Sequence, residues 1–179
     1  RVYMDGIIGF IGGGNMAKAI IGGIVNSKLI SPDRIFVSNP TIDKLEDLEH
    51  KYKIKITSKN VEVAKVSDIL FLSVKPDKYS EVIEEIKNKI KKDVIVVTIA
   101  AGKDIQGIQQ EFGRKVKILR AMPNTPALVG EGMTALMPSK EITEEEFTEV
   151  KHIFQSFGKT EIIEEGLVHA FIAISGSSP

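Results

Sequence analysis

The stretch IGFIGGGNMAKAI, residues 8–20, passes from an apolar run into a cluster of glycines and then into residues that favour a helix. Within it, the spacing Gly12-x-Gly14-x-x-Ala17 follows the G-x-G-x-x-G/A pattern that places a pyrophosphate at a helix N-terminus. We assign Gly12 to the tight turn, Gly14 to the space that phosphates need, and Ala17 to close packing of helix on strand. A plain tight turn is the alternative, but one glycine would satisfy it. The stretch therefore predicts a dinucleotide-binding fold.

Short runs rich in β-branched residues recur along the chain, mostly without polar alternation, which is typical of strands buried on both faces. Amphipathic segments separate them, and this alternation predicts an α/β fold, a Rossmann-type doubly wound, mainly parallel sheet. The predicted strands cover 7–11, 35–38, 54–57, 69–74, 94–99 and 116–121, and the predicted helices cover 16–27, 40–52, 61–66, 78–90 and 104–112.

The pattern changes after residue 121, where prolines and glycines indicate a loop before a strand at 133–137. Thr143 and Glu146 form a capping-box pattern that predicts a helix to residue 157, followed by a strand at 160–163 and a helix at 166–174. The final SGSSP is typical of a helix start. The elements up to residue 164 therefore predict one dinucleotide-binding domain, and the last residues are either the start of a further helix or a frayed tail.

The composition excludes several classes of partner. The 179 residues include 24 basic and 24 acidic side chains, so the balanced charge predicts neither nucleic acid nor a membrane as a partner. The chain has no cysteine and no ligand cluster, so we predict no metal site and a cytoplasmic location. A small molecule is the expected ligand.

The end of the second predicted strand bears on the choice of cofactor. Ser38 and Asn39 carry no negative charge, so they do not exclude the 2′-phosphate of NADP, and both can donate hydrogen bonds to it. NADP is thus the expected cofactor, with NAD as the alternative. Asn39 also fits the cap of a helix that begins at Pro40. Lys44 adds charge nearby, or is simply a solvated lysine.

Three further loops follow strands at the carboxyl edge of the sheet, where ligands of open α/β folds bind. They are SVKP at 73–76, AAG at 100–102, and the segment that holds Asn124 and Thr125 between two prolines. Flanking prolines restrict a loop and hold polar side chains in place, as a preorganised site needs. A solvated lysine, a turn glycine and a connecting loop are the respective alternatives.

The three histidines, His50, His152 and His169, do not follow predicted strands, and the pattern of a nucleophilic triad is missing from the sequence. The expected chemistry is therefore hydride transfer by the cofactor, oriented by the protein.

The segments GFIGGGNMAKAI, SVKP, AAG, RAMPNTPALVGEGMTAL and AISGSSP appear in the order and spacing of pyrroline-5-carboxylate reductases, which the chain resembles over nearly its whole length. The resemblance implies NAD(P)H-dependent reduction of the ring C=N of 1-pyrroline-5-carboxylate to L-proline, the last step of proline biosynthesis. It also implies a dinucleotide-binding domain at 1–164 and, at 165–179, a connecting helix and the start of a C-terminal helical domain that is mostly absent from this chain. A homodimer or higher homo-oligomer would form through that domain.

The same resemblance implies a role for individual residues. Those along the pyrophosphate are Gly12, Gly14, Asn15 and Met16, and those at the adenosine ribose are Ser38 and Asn39. Those lining the nicotinamide half are Val74, Lys75, Pro76, Ala100, Ala101 and Gly102. The reacting ring is bordered by Met122, Pro123 and Asn124, of which Asn124 positions substrate and nicotinamide as the candidate catalytic residue. The substrate carboxylate is held at Ser175, Gly176, Ser177 and Ser178.

Some positions depart from the family. Pro40 stands where an arginine is frequent, which weakens the case for NADP over NAD, and His169 and Ile172 replace the usual aspartate and threonine. A cyclic imine arrives protonated, so its reduction needs positioning more than a strong side-chain acid. Two alternatives remain from the residues themselves: another Rossmann reductase of the β-hydroxyacid dehydrogenase type, and a non-catalytic NADP-binding module.

Overall fold

A computed structural model describes residues 6–123 and 132–164, within which eight strands form one sheet in the order β3-β2-β1-β4-β5-β6-β7-β8. The first six strands pair in parallel, β7 is antiparallel to β6, and β8 is parallel to β7. The strands are β1 Ile8–Ile11, β2 Ile35–Ser38, β3 Lys55–Thr57, β4 Ile69–Leu72, β5 Ile95–Thr98, β6 Lys117–Pro123, β7 Met133–Pro138 and β8 Lys159–Ile162. The predicted Rossmann-type, mainly parallel sheet is confirmed.

Helices cover both faces of this sheet: α1 Asn15–Asn26, α2 Glu46–Tyr52, α3 Asn60–Val66, α4 Tyr79–Ile86, α5 Ile105–Phe112 and α6 Glu144–Gln155. One core cluster joins α1, α2 and α6 to the sheet, and a second joins α3, α4 and α5 to the opposite face. Successive residues of a strand point to opposite faces, so Phe71 enters the first cluster and Leu70 and Leu72 enter the second. This explains why the strands lack polar alternation.

Aromatic rings hold α6 against the middle of the sheet. Phe10 and Phe71 stack at a ring-centroid distance of 4.5 Å, and Phe154 of α6 lies 5.9 Å from Phe71. All three rings are completely buried, and each contributes about 1.5–3 kcal/mol relative to an exposed ring. Because α6 comes from the far end of the chain, this cluster ties the last strands to the glycine-rich first strand.

The predicted start of the second helix was wrong. The chain forms a 3₁₀ turn at Ile42–Leu45, and α2 begins only at Glu46. Asn39 does not cap a helix at Pro40, because its side-chain amide donates to the Thr41 carbonyl oxygen at 2.9 Å and Thr41 remains extended. The amide contact therefore forms a turn after β2 in place of a helix start.

The predicted capping box of α6 is confirmed. The Thr143 hydroxyl accepts from the Glu146 amide at 3.1 Å, and the Glu146 carboxylate accepts from the Thr143 amide at 2.9 Å. The predicted helix at 166–174, and with it the proposed second domain at 165–179, lies outside the described residues. The division into domains stays a prediction.

Candidate dinucleotide site at the carboxyl edge of the sheet

The strand order places a crevice between β1 and β4. The chain proceeds from β1 outward through β2 and β3, and then returns to the other side of β1 to form β4 and β5. Ligands of open α/β sheets bind outside the carboxyl ends of the strands at such a reversal. The glycine loop that follows β1 emerges at this point.

Gly12 forms the turn at the end of β1. Its φ is +105°, and a Cβ atom there would lie 2.7 Å from the Ser73 carbonyl oxygen. Its amide donates to the Ser38 carbonyl oxygen at 2.9 Å. Both the left-handed backbone and the close approach of two neighbouring strand ends require glycine here. The tight turn predicted for Gly12 is confirmed.

Gly14 has a different environment. It precedes α1 with an ordinary φ of −73°, and a Cβ atom built on it meets no described atom within 4 Å. Within the described part of the chain no side chain caps α1, and its first turn contains no acidic residue. The first amides of α1 therefore present the positive end of the helix dipole beside an open space. This geometry fits a pyrophosphate, as predicted for Gly14, Asn15 and Met16.

Two other glycines of the stretch serve packing, a role that the sequence analysis missed. A Cβ atom on Gly9 would lie 1.9 Å from Ser67 Oγ and 2.6 Å from Val63 Cγ1, so α3 packs directly on β1. A Cβ atom on Gly13 would lie 2.4 Å from a methyl carbon of Leu45. Ser67, Val63 and Leu45 are distant from these glycines in the sequence, so only the folded structure shows the contacts.

At the end of β2, the Ser38 side chain was expected to donate to the cofactor, but its hydroxyl is engaged inside the protein. Ser38 is completely buried, and its hydroxyl donates to Asn60 Oδ1 at 2.8 Å. Asn60 in turn donates from Nδ2 to Glu85 Oε1 at 3.0 Å, while Asn39 is half-buried. The one hydroxyl donor of Ser38 is used inside the protein, so the ribose contacts of Ser38 and Asn39 stay a prediction.

Asn60, the first residue of α3, is a site candidate that the sequence analysis missed. Its side chain reaches the end of β2 from the end of β3, at the same sheet edge. An asparagine just after a predicted strand is the signal that could have suggested it.

The loop after β4 packs against the glycine loop. Ser73 Oγ donates to the Gly12 carbonyl oxygen at 2.7 Å, and the Ser73 amide donates to the Ile11 carbonyl oxygen at 2.9 Å. Val74 Cγ1 would lie 3.0 Å from a Cβ atom on Gly12, whereas Lys75 is exposed. The fold thus brings the predicted nicotinamide-side loop next to the predicted pyrophosphate loop.

The loop after β5 is small and open. Ala100 is half-buried, Ala101 is exposed, and Gly102 has a φ of +79° with no described atom within 4 Å of an added Cβ. Met122 and Pro123 end β6 and are half-buried. Asn124 and residues 175–178 lie outside the described residues, so the predicted substrate contacts stay predictions.

A metal-ligand cluster and a membrane-spanning helix are both absent from the described part of the chain. Across residues 6–123 and 132–164, no three His, Cys, Asp or Glu side chains cluster in a way that could hold a metal ion. In the same ranges, every helix is too short or too polar to cross a bilayer. His50 is exposed on α2 and His152 is exposed on α6, whereas His169 lies outside these ranges.

Known proteins resemble this chain in sequence and in fold. The model of the family described as "NADP oxidoreductase coenzyme F420-dependent" matches residues 7–102, more than half of the chain. The chain belongs to this family. The matched segment runs from β1 to the Ala100–Gly102 loop, so it contains the glycine loop and the carboxyl ends of β1 to β5.

Individual relatives are more specific. The chain is 43% identical to the pyrroline-5-carboxylate reductase of Escherichia coli K12 over 176 residues, which covers 98% of this chain and 65% of the relative. A Coxiella burnetii pyrroline-5-carboxylate reductase structure matches with a TM-score of 0.91 at 32% identity, covering 97% of this chain and 65% of that one. A Plasmodium falciparum pyrroline carboxylate reductase with NADP bound matches with a TM-score of 0.84 at 31% identity, covering 97% and 63%. These matches confirm the resemblance to pyrroline-5-carboxylate reductases, of whose length the chain spans slightly less than two thirds.

Proposed function

We propose that this protein acts as an NAD(P)H-dependent reductase that converts 1-pyrroline-5-carboxylate to L-proline. The observation that carries the proposal is the 43% identity to the Escherichia coli reductase across 98% of this chain. The alternative of a β-hydroxyacid dehydrogenase shares only the glycine fingerprint, whereas the resemblance here continues through the loops after β4, β5 and β6.

The residues at the sheet edge fit a dinucleotide. Gly14 leaves an open space where a Cβ would meet no described atom, and the uncapped amides of α1 point toward it. We assign NADP(H) as the cofactor and NAD(H) as the alternative, a choice supported by the NADP bound in the Plasmodium relative. Ser38 and Asn39 carry no negative charge, so these two residues do not repel a 2′-phosphate, and the Glu85 carboxylate nearby is engaged by Asn60 Nδ2 at 3.0 Å.

The main task of the protein in this reduction is to orient the cofactor and the substrate. When bound, NAD(P)H would supply the hydride that reduces the C=N carbon of the protonated imine, which gives L-proline and NAD(P)⁺. In this chain, the amides of α1 would hold the diphosphate, and the loops 73–76 and 100–102 would hold the nicotinamide half. The small side chains of Ala100 and Ala101 leave room for a flat ring to meet the substrate. Orientation of this kind lowers barriers by about 7–11 kcal/mol in favourable systems.

The substrate side of the site rests on segments beyond the described residues. We assign Asn124 to positioning of substrate and nicotinamide, and the amides of residues 175–178 to the substrate carboxylate, because these segments match the reductase pattern. We further infer a homo-oligomer in the cytoplasm. The absence of cysteine from the sequence is compatible with a reducing compartment.

The test separates cofactor binding from turnover. Calorimetry measures NADPH and NADH binding to the 179-residue chain, and we expect both to bind. Because the chain spans 65% of the Escherichia coli relative, turnover is measured on a chimera that adds the unmatched remainder of that relative. We expect the chimera to oxidise NADPH when pyrroline-5-carboxylate is added, and not when a β-oxo acid, the oxidised substrate of a β-hydroxyacid dehydrogenase, is added. A chimera that binds NADPH and oxidises it with neither substrate supports the non-catalytic module and contradicts the proposal.

A further inference from the structure

Tyr79 is a buried phenol that the proposed reaction does not use. It begins α4, and its side chain is completely buried. Its hydroxyl lies 2.7 Å from the Leu72 carbonyl oxygen and 2.8 Å from Thr98 Oγ1. Leu72 and Thr98 are the last residues of β4 and β5, and they are register partners. One hydroxyl therefore joins the ends of two neighbouring strands.

The direction of both hydrogen bonds follows from the number of protons. A carbonyl oxygen only accepts and a phenol has one proton, so Tyr79 donates to Leu72 and the Thr98 hydroxyl donates to the phenol oxygen. Burial raises the pKa of Tyr79 above its ordinary value, although hydrogen bonds from Thr98 and from the backbone at Ile99 and Ala100 oppose the rise. The phenol thus stays neutral and keeps its donor at physiological pH.

The two strand ends that Tyr79 joins are the starts of the two loops assigned to the nicotinamide half. The loop 73–76 follows Leu72 directly, and the loop 100–102 begins just after Ile99. The Lys103 ammonium lies 5.7 Å from the Tyr79 ring centroid, so the far end of the second loop also approaches this side chain. Each loop is therefore attached to the same buried residue.

A further hydrogen bond connects the loop 73–76 to the glycine loop. Ser73, next to Leu72, donates from its hydroxyl to the Gly12 carbonyl oxygen. The end of β2, which is assigned to the adenosine half, lies on the other side of β1 from β4 and β5. Removal of the Tyr79 hydroxyl is therefore expected to disturb the nicotinamide half of the crevice more than the adenosine half.

We propose that Tyr79 is a positioning residue that sets the spacing of loops 73–76 and 100–102 and thereby governs binding of the nicotinamide half of the cofactor. The inference rests on the proposed cofactor site. Tyr79 makes no contact with the reacting atoms in this proposal, and its effect passes through the two strand ends.

The test compares two ligands on the 179-residue chain. NADPH carries both halves of the cofactor, whereas 2′,5′-ADP carries only the adenosine half. Tyr79→Phe keeps the ring and removes the hydroxyl, and we expect its Kd for NADPH to rise about fivefold, as for one lost hydrogen bond. Its Kd for 2′,5′-ADP should not change. Tyr52→Phe removes a phenol hydroxyl that lies beside Gly22 of α1, and this control should leave both Kd values unchanged.

Thr98 provides an independent pair of variants. Thr98→Val removes the hydroxyl that donates to Tyr79 and should copy the ligand-specific loss, whereas Thr98→Ser keeps a hydroxyl and should restore NADPH binding. These two variants decide the question if Tyr79→Phe does not fold. Equal losses for both ligands, or unchanged NADPH binding in Tyr79→Phe or in Thr98→Val, overturn the positioning role. A wild-type chain that binds neither ligand contradicts the proposed cofactor site itself.

Discussion

Gly9 and Gly14 belong to the same short stretch of chain, yet their surroundings are opposite. A side chain on Gly9 would overlap the Ser67 hydroxyl, with Cβ and Oγ 1.9 Å apart, whereas a side chain on Gly14 would meet no described atom within 4 Å. Gly9 is needed by the fold, because α3 packs against it. Gly14 is needed only if something absent from the protein itself occupies the space beside it. The comparison teaches that a glycine motif combines structural and ligand-binding positions, which only the neighbouring atoms distinguish.

The largest expected effect is a loss of NADPH affinity when Gly14 is substituted, which would distinguish its ligand-binding role from the packing role of Gly9. Gly14→Val places methyl groups in the open space, and we expect the Kd for NADPH to rise about a hundredfold, or about 3 kcal/mol, through lost contacts to charged phosphates. The free energy of unfolding should fall by about 1 kcal/mol at most, because the backbone at Gly14 is ordinary and only helix capping is affected. Calorimetry and urea denaturation measure the two quantities. Unchanged NADPH affinity would place the diphosphate elsewhere.

Gly9→Ala should show the reverse pattern. The added methyl group forces α3 away from β1, which costs about 1–3 kcal/mol of folding free energy, as is usual for an overpacked core. The fraction that remains folded should bind NADPH with nearly wild-type affinity. Urea denaturation followed by circular dichroism measures the loss. A Gly9→Ala protein of full stability would contradict the packing role of this glycine.

A charge at the exposed Pro40, two residues after β2, should change cofactor specificity without changing the fold. Pro40→Arg adds a guanidinium beside Asn39, and we expect it to favour NADPH over NADH by a further factor of about five to ten, since phosphate contacts from arginine are charge-assisted. The ratio of the two Kd values, measured at low salt, reports the change. Asn26→Arg adds the same charge at the last residue of α1 and serves as the control. Equal changes in both variants would mean that the ribose end lies away from Pro40.

The smallest expected effect concerns a group that stabilises the fold and is remote from the glycine loop. Burial raises the pKa of Glu146, but the Lys117 ammonium at 2.6 Å and the Thr143 amide lower it more, so the carboxyl group titrates below its ordinary value of 4.5. A lowered pKa in the folded state gives stability that is present above pH 4.5 and is lost as the pH falls through the folded pKa.

Glu146→Gln keeps the capping pattern and removes the charge. We expect the variant to lose about 0.5–1 kcal/mol at neutral pH and to match wild type at acidic pH, with NADPH binding unchanged. Urea denaturation at a series of pH values measures this difference, and Glu145→Gln, exposed on the same turn, is the matched control. A loss that persists at acidic pH would exclude the charge as its cause.

The parts of the fold that the sequence predicted depend on neighbours along the chain. Local sequence patterns predict three of these features without knowledge of tertiary contacts: the turn at Gly12, the capping box of Thr143 and Glu146, and the buried strands. The roles of Gly9, Asn60 and Tyr79 depend on contacts between residues far apart: Ser38 and Asn60 are separated by 22 positions, and Tyr79 and Thr98 by 19. The predicted cap at Asn39 failed because its amide bonds with a carbonyl oxygen two residues away.

A crystal structure of the chain with NADPH tests the central claim most directly, because it shows where the diphosphate lies. We predict diphosphate oxygens within hydrogen-bonding distance of the first amides of α1, beside Gly14, with the nicotinamide half between the loops 73–76 and 100–102. The adenosine half should lie toward the end of β2. A diphosphate bound on another face of the molecule, or a nicotinamide half on the β2 side of the crevice, would contradict the account.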